Sequence, residues 1–364
     1  METYMIIKSY QNYLIKTFLK ELFLVFIVFL SLIFILNVLS EIRFFINYDV
    51  NSFYPIFLTL LNVPSIVFEI FPFIFLISTQ LFFVKLHEKN ELIILKNYGV
   101  DNLKVIIVLL ITSLVVGFLI TSVYYTFSAS LKHSYLFFKN QYSNDNKYLA
   151  VVNENGLWIK DETINNINII NADSIINSQL NEITISQLDK SFNLVRTIRA
   201  SSANINNKIW ELKEASIIDV GSAKKKFDSV EFKTNFDIEK INSMFSDLSS
   251  LNLFELIELY NDYSIFGYST TGIESSLHKL YSFPIYLTIM TIIGTILMFN
   301  MKSNNSKIFN IIIGIMVSVF VYYLNYFISL LGKNEYIPIY ISIWISQLIL
   351  FLICIIGTMK INEK

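Results

Sequence analysis

The chain has 364 residues, of which 54% are apolar and only 16% charged, against about 25% charged in an ordinary soluble protein. A formal net charge of -1 gives no indication of a bulk electrostatic partner such as nucleic acid. With 3 His and 1 Cys, an intrachain disulfide is impossible and a Cys/His metal cluster is not expected, so the mean hydropathy of +0.54 points to an integral membrane protein.

Met1–Lys20 mixes apolar, polar and basic residues and reads as an interfacial helix that turns into the membrane. A span needs about 20 apolar residues, and the first such run is Leu22–Leu39. It carries Phe26, Phe29, Ile33 and Asn37 on roughly one face and leads to Glu41 and Arg43. No small-residue cleavage site follows it, so it reads as an uncleaved span. The second run lies within Phe53–Val84, with Pro64 and Pro72 expected to bend it and Glu69 as a carboxylate near one interface. The third is Val105–Phe127.

Between the second and third runs, residues 86–98 predict a short helix. Glu88 and Glu91 near its start and Lys96 near its end suit the helix dipole. Gly99 is placed to end it in the left-handed conformation, and Asp101 to cap the next helix. Leu92, Ile93, Ile94 and Leu95 give it more apolar surface than a free loop needs. Two readings stand side by side: a surface helix packed on its own spans, or a coupling helix that docks on a partner.

Ala129–Ser269 holds no membrane-length run, and its 14 basic and 18 acidic residues contrast with 14 basic and 11 acidic in the rest of the chain. It predicts an all-β domain, a sandwich or jelly roll. The expected strands are Tyr148–Val152, Gly156–Lys160, Ile167–Ile170, Glu182–Gln187, Asn193–Ala200, Trp210–Ile218 and Ser229–Phe236. Leu253, Leu256, Ile257 and Tyr260 then recur with helical spacing. Three more apolar runs follow at Tyr281–Asn300, Phe309–Leu330 and Ile337–Ile356. The chain thus divides into 1–128 (three spans), 129–270 (the β domain with a C-terminal helix) and 271–364 (three spans).

With the N-terminus inside, the inner segments hold Lys8, Lys16, Lys20, Lys85, Lys89, Lys96, Lys104, Lys302, Lys307, Lys360 and Lys364. The outer ones hold Arg43, Lys132, Lys139, Lys279 and Lys333. That bias predicts both termini in the cytoplasm and the β domain outside. The sequence has no P-loop with which to bind ATP, no G-x-S-x-G and no H-E-x-x-H. No catalytic set is expected. His87, His133 and His278 read as solvated or interfacial, and Cys354 as a packing residue.

Asn90-Glu91-Leu92-Ile93-Ile94-Leu95-Lys96-Asn97-Tyr98-Gly99 resembles the coupling motif of the LptF/LptG permease family, the membrane subunits of the lipopolysaccharide exporter. Val63-Pro64 with Pro72, Gly156-Leu-Trp-Ile-Lys-Asp161 and Gly314–Tyr326 are similar to other parts of that family, and the Gly156–Asp161 strand favours LptG over LptF. The resemblance implies an inner-membrane permease, not an enzyme, that works with an LptF-like second permease, an LptB-like ATPase dimer and an LptC-like periplasmic protein. It implies that Glu88, Glu91, Leu92, Leu95, Lys96 and Gly99 form the ATPase-coupling helix, with Glu91 as the acidic residue that meets a basic group of the ATPase. It further implies a membrane-lipid route for lipopolysaccharide. On that route Phe26, Phe29, Ile33, Asn37, Arg43 and Glu69 are the candidate lipid-contacting residues, Arg43 through bidentate pairing with lipid A phosphate. The rival readings are a subunit of another lipid or lipoprotein exporter, and a membrane scaffold with an external binding domain.

Overall fold

A computed structural model describes residues 9–142, 157–162, 166–176, 179–238, 240–241, 247–266, 268–299, 307–334 and 336–362. The chain divides into two units: residues up to Lys132 together with those from Thr271 onward, and His133–Thr270.

The first unit is helical. Its elements are α1 (Ser9–Phe44), α2 (Tyr54–Glu88), α3 (Glu91–Asn97), α4 (Asn102–Leu119), and α5 (Tyr125–Asn140), which crosses the unit boundary. After the second unit come α7 (Thr271–Phe299), α8 (Lys307–Lys333) and α9 (Ile339–Asn362). Six segments of the described residues are long and apolar enough to cross a membrane: α1, α2, the α4–α5 segment, α7, α8 and α9. A membrane core of about 30 Å leaves no water for exposed backbone groups, and a helix satisfies its own.

Burial ranks these segments. α7 buries 67% of its most apolar window inside the chain and α2 50%, whereas α1 buries 11% and α8 17%. The central pair is therefore α2 and α7. Small residues let them close: a Cβ on Gly294 would stand 3.0 Å from the Leu76 carbonyl oxygen and from Thr79 Cβ. The main core joins α1, α2 and α4 through Phe18, Val67, Phe75, Phe82, Phe83 and Leu109. A second cluster sets Met290 and Ile293 of α7 against Val321 of α8 and Leu350 of α9.

Three features depart from the sequence reading. Ser9–Lys20 does not turn before the span; it is the first part of the uninterrupted 36-residue α1. Met1–Lys8 lies outside the described residues. The third span contains a π-helical turn at Ile120–Tyr124 between α4 and α5, the wider i→i+5 geometry that is rare within α-helices and recurs at functional sites. α2 runs four residues past Val84, so Glu88 ends that helix instead of starting the next.

The second unit is an antiparallel sheet. Its strands are β1 (Leu157–Glu162), β2 (Ile167–Ile176), β3 (Gln179–Leu188), β4 (Leu194–Asn204), β5 (Ile209–Asp219) and β6 (Lys225–Lys233), paired in sequential order. The inserted β domain expected between the third and fourth spans thus has, in its described strands, a meander connection. The expected strand at Tyr148–Val152 lies outside the described residues.

The register explains the core. Ile159, Ile170, Ile185 and Ile198 stand opposite one another across β1–β4, and all are buried. The next inward row is Leu157, Ala172, Ile183 and Ala200. A polar row follows: Gln187 donates to Asn168 Oδ1 at 2.7 Å and accepts from Arg196 Nε, while Asn235 donates to Asp161 Oδ1 at 2.8 Å. α6 (Leu253–Phe266) buries Leu256 of the expected stripe, with Leu253 and Tyr260 half-buried, but it turns Ile257 outward and buries Leu259 in its place. At the β3–β4 turn, the Asp189 carboxylate accepts from the backbone and side chain of Asn193 and the backbone of Ser191. These bonds hold its pKa below the usual carboxylate value.

Trp210 is fully buried, and its indole N–H donates to the Phe236 carbonyl at 2.8 Å. Trp210→Ala removes this packing and orphans that carbonyl, so it is expected to destabilise the β unit by about 3–5 kcal/mol. The check is denaturant-dependent protease resistance of Leu157–Lys233 in the full chain. Wild-type resistance contradicts the assigned core.

Candidate functional site

The segment joining α2 to α4 is built for a defined geometry. The chain leaves α2 at Glu88 and reverses through Asn90, whose φ of 56° is left-handed; Asn tolerates that region better than other non-glycine residues. α3 then makes barely two turns. At its end the Gly99 N–H donates to the Lys96 carbonyl at 2.9 Å, and the Val100 N–H to the Leu95 carbonyl at 3.0 Å. With φ +77° at Gly99, this is the six-to-one and five-to-two pattern of a Schellman cap. The apolar contact that accompanies such a cap is present too: Val100 is buried in the main core and Leu95 packs against it. Asp101 takes the extended N-cap backbone of α4 but makes no capping bond. Instead it pairs with Lys104 at 3.4 Å, and Lys104 donates to the Gly99 carbonyl at 2.7 Å.

This geometry splits the apolar residues of α3 into two sets. Leu92 is buried and Leu95 half-buried, so they hold the helix to the spans. Ile93 and Ile94 point outward with 60% and 50% of their surface exposed, followed by Tyr98 at 84%. Lys96 lies on the exposed side as well. An aromatic and two branched aliphatic side chains on a short rigid helix form the kind of anchor set that protein interfaces use.

Glu91 does not simply face outward. Its Oε2 accepts from the Tyr13 hydroxyl of α1 at 2.7 Å, and its Oε1 lies 3.7 Å from Lys89 Nζ. Glu88 is exposed at the end of α2. Close by, Lys85 of α2 donates to Glu21 of α1 at 2.6 Å.

The other candidates lie along α1 and α2. Phe26, Phe29 and Ile33 pack on the α1–α2–α4 core, with Phe26 stacked on Phe71 at 5.8 Å between ring centroids. Tyr124, the last residue of the π turn, meets both rings edge-on and donates its hydroxyl to the Pro64 carbonyl at 3.1 Å. Further along, Asn37 accepts from Asn62 Nδ2 at 3.4 Å, and Asn62 Oδ1 accepts from Lys132 Nζ at 2.7 Å. Arg43 and Glu69 are exposed, and Glu41 is buried. Glu69 interacts electrostatically with Lys279 and Tyr322.

The structure thus brings Glu91, Leu92, Leu95, Lys96 and Gly99 together on one short helix, and it joins Asn37 to two residues the sequence reading did not assign to a site, Asn62 and Lys132. Tyr13 and Glu21 were also missed. Their partners lie 78 and 64 residues away, and local pattern carries no signal for such pairing. Among the described residues no three His, Cys, Asp or Glu side chains are grouped to hold a metal.

The sequence profile of the lipopolysaccharide export system permease LptF/LptG family matches residues 12–360. A search of curated proteins finds no match.

No atom lies within 4 Å of a Cβ built on Gly99, so substitution there acts through the backbone alone. Gly99→Ala is expected to weaken the α3 cap by about 1 kcal/mol, raising limited proteolysis within residues 94–101 about fivefold, while Gly99→Asn changes it far less. Equal effects of Ala and Asn would contradict the left-handed cap.

Proposed function

The chain belongs to the lipopolysaccharide export permease family LptF/LptG, and we propose that it is the mechanical membrane subunit of such an exporter, driven by a separate ATPase. The observation that carries the proposal is α3. It is a short helix fixed on its inner side by Leu92, Leu95 and the Gly99–Val100 cap, and it presents Ile93, Ile94 and Tyr98 outward. Such a helix suits docking into an LptB-like ATPase dimer. The absence of a P-loop from the sequence fits an engine supplied by a partner.

The lysine distribution supports a cytoplasmic face for α3 and both termini, and with it a reading in which the β unit lies in the periplasm. In this reading lipopolysaccharide is drawn from the inner membrane between this chain, of LptG type, and an LptF-like second permease. It then passes to the β unit and an LptC-like protein. α1 and α8 expose most of their apolar windows and supply surface for lipid and for the second permease. Exposed Arg43 is the candidate for lipid phosphate, with Glu69 the opposing charge on α2. Phe26, Phe29, Ile33 and Asn37 back that route from the α1–α2 seam.

The test is co-expression with an LptB-like ATPase and purification of the chain. Wild type is expected to capture the ATPase, and Ile94→Asp combined with Tyr98→Ala to reduce capture about tenfold or more while the chain still purifies intact. A wild-type chain that captures no such ATPase refutes the exporter reading. Capture that survives both substitutions refutes the assigned docking face.

A further inference from the structure

α1 touches the segment that carries the docking helix through a line of polar residues. Tyr13, Thr17 and Glu21 follow one another at i, i+4 and i+8, the spacing that stacks side chains along one side of a helix. Tyr13 bonds Glu91 on α3, Glu21 bonds Lys85 on α2, and Thr17 is buried between them. Polar groups at this spacing are not needed to hold the two helices together, because Leu14, Phe18, Leu22 and Val25 already pack α1 on the main core.

We propose that Tyr13 is a positioning residue that ties α1 to the docking helix, so that α1 moves with α3 when α3 is pushed. The proposal rests on the exporter reading for the source of the push. The tie itself is a property of this chain. Glu91 is a charged acceptor and Tyr13 a neutral donor; a bond of this kind holds two elements at fixed distance without burying a net charge pair. Glu91 then has two separable attributes. One is its acceptor oxygen, which Tyr13 uses. The other is its negative charge, which Lys89 approaches at 3.7 Å and which a cation of the docked partner can also meet.

α1 exposes most of its apolar window, and it packs on this chain through Leu14, Phe18, Leu22 and Val25. A tie at its α3 end gives any shift of that helix a direction. At the opposite end of α1, Asn37 meets Asn62 and through it Lys132. The helix is therefore fastened by polar bonds near both ends, with apolar packing between.

Two variants separate the attributes of Glu91. Tyr13→Phe keeps the ring and the carboxylate but removes the donor. Glu91→Gln keeps an acceptor but removes the charge. Hydrogen exchange of the Leu92–Val100 amides is measured in the full chain in lipid nanodiscs. Tyr13→Phe is expected to speed it about threefold to tenfold, and Glu91→Gln to leave it within about twofold of wild type. Wild-type exchange in Tyr13→Phe overturns the tie. In the complex reconstituted with the second permease and the ATPase, Tyr13→Phe is expected to retain ATPase capture but to lower the lipid moved per ATP hydrolysed. An unchanged ratio overturns the transmitting role. If wild type captures no ATPase while Tyr13→Phe still speeds exchange, the exporter reading and the transmitting role fail together and the tie stands alone.

Discussion

The packing of α2 against α1 and α7 is the constraint on which the rest of the helical unit depends. Along one stretch of α2, Ile74, Phe75, Leu76, Ser78, Thr79 and Gln80 have essentially no exposed surface. The hydroxyls turn back on their own helix, Ser78 to Ile74 and Thr79 to Phe75, so they add no unsatisfied donor. Gln80 reaches the Asn310 carbonyl of α8 at 2.8 Å, at a place where only glycine fits opposite: a Cβ on Gly314 would fall within 2.5 Å of the Gln80 amide. An amide N–H in a bilayer core needs a partner, and this one has it, whereas the buried Gln80 Oε1 accepts no bond among the described residues. Here one amide therefore fixes how closely α8 approaches α2. Because α2 is held this way, its end at Glu88 is a firm origin for the segment that leads through α3 to α4.

Composition and hydropathy made the six spans and the inserted β domain legible, because bilayer thickness demands a length of apolar chain that nothing else in the sequence imitates. The C-terminal cap of α3 was legible for a related reason: Gly99 is one of 10 glycines, and it falls where the helical pattern stops. The start of α3 was not. Glu88 and Glu91 look like one acidic first turn, yet Asn90 reverses the chain between them, and a non-glycine left-handed residue has only a weak local signature. β2 and β4 were read too short. Their second halves carry Asn171, Asp173, Ser174, Ser202 and Asn204, poor strand formers by composition. Cross-strand partners override that preference: Asn171 donates to the Leu157 carbonyl and Asn181 to Ser174 Oγ.

The candidate site was legible in its residues and not in its contacts. Glu91 was recognised as an acidic position on a coupling helix, which assigns it a partner outside the chain. Its nearest partner is Tyr13 of α1, a residue whose own neighbourhood, Asn12-Tyr13-Leu14, carries no hint of it. Likewise Lys132 entered the reading as one of the positive charges that set orientation, and it proves to reach Asn62 of α2. In both cases the function of a charge depends on a side chain brought in from a distant helix, so periodicity and spacing could not supply it.

These polar ties fit a protein that moves matter rather than bonds. Two apolar helices in lipid slide at little energetic expense, because lipid tails are as good a neighbour as leucine. What resists sliding is a hydrogen bond whose loss leaves a donor or acceptor without a partner. Polar bonds of α1 sit near both of its ends, the exposed Tyr13–Glu91 bond to α3 and the part-buried Glu21–Lys85 bond to α2 on one side and the part-buried Asn37–Asn62 bond to α2 on the other. Between them Phe26 stacks on Phe71, with Tyr124 edge-on to both. Aromatic contacts of this kind tolerate a change of tilt better than a hydrogen bond tolerates a change of distance. A seam fastened near both ends with aromatic contacts between resists sliding along its axis more than a change of tilt, which is the mechanical character a helix needs if it is to carry a push along its length while its outer surface stays in lipid.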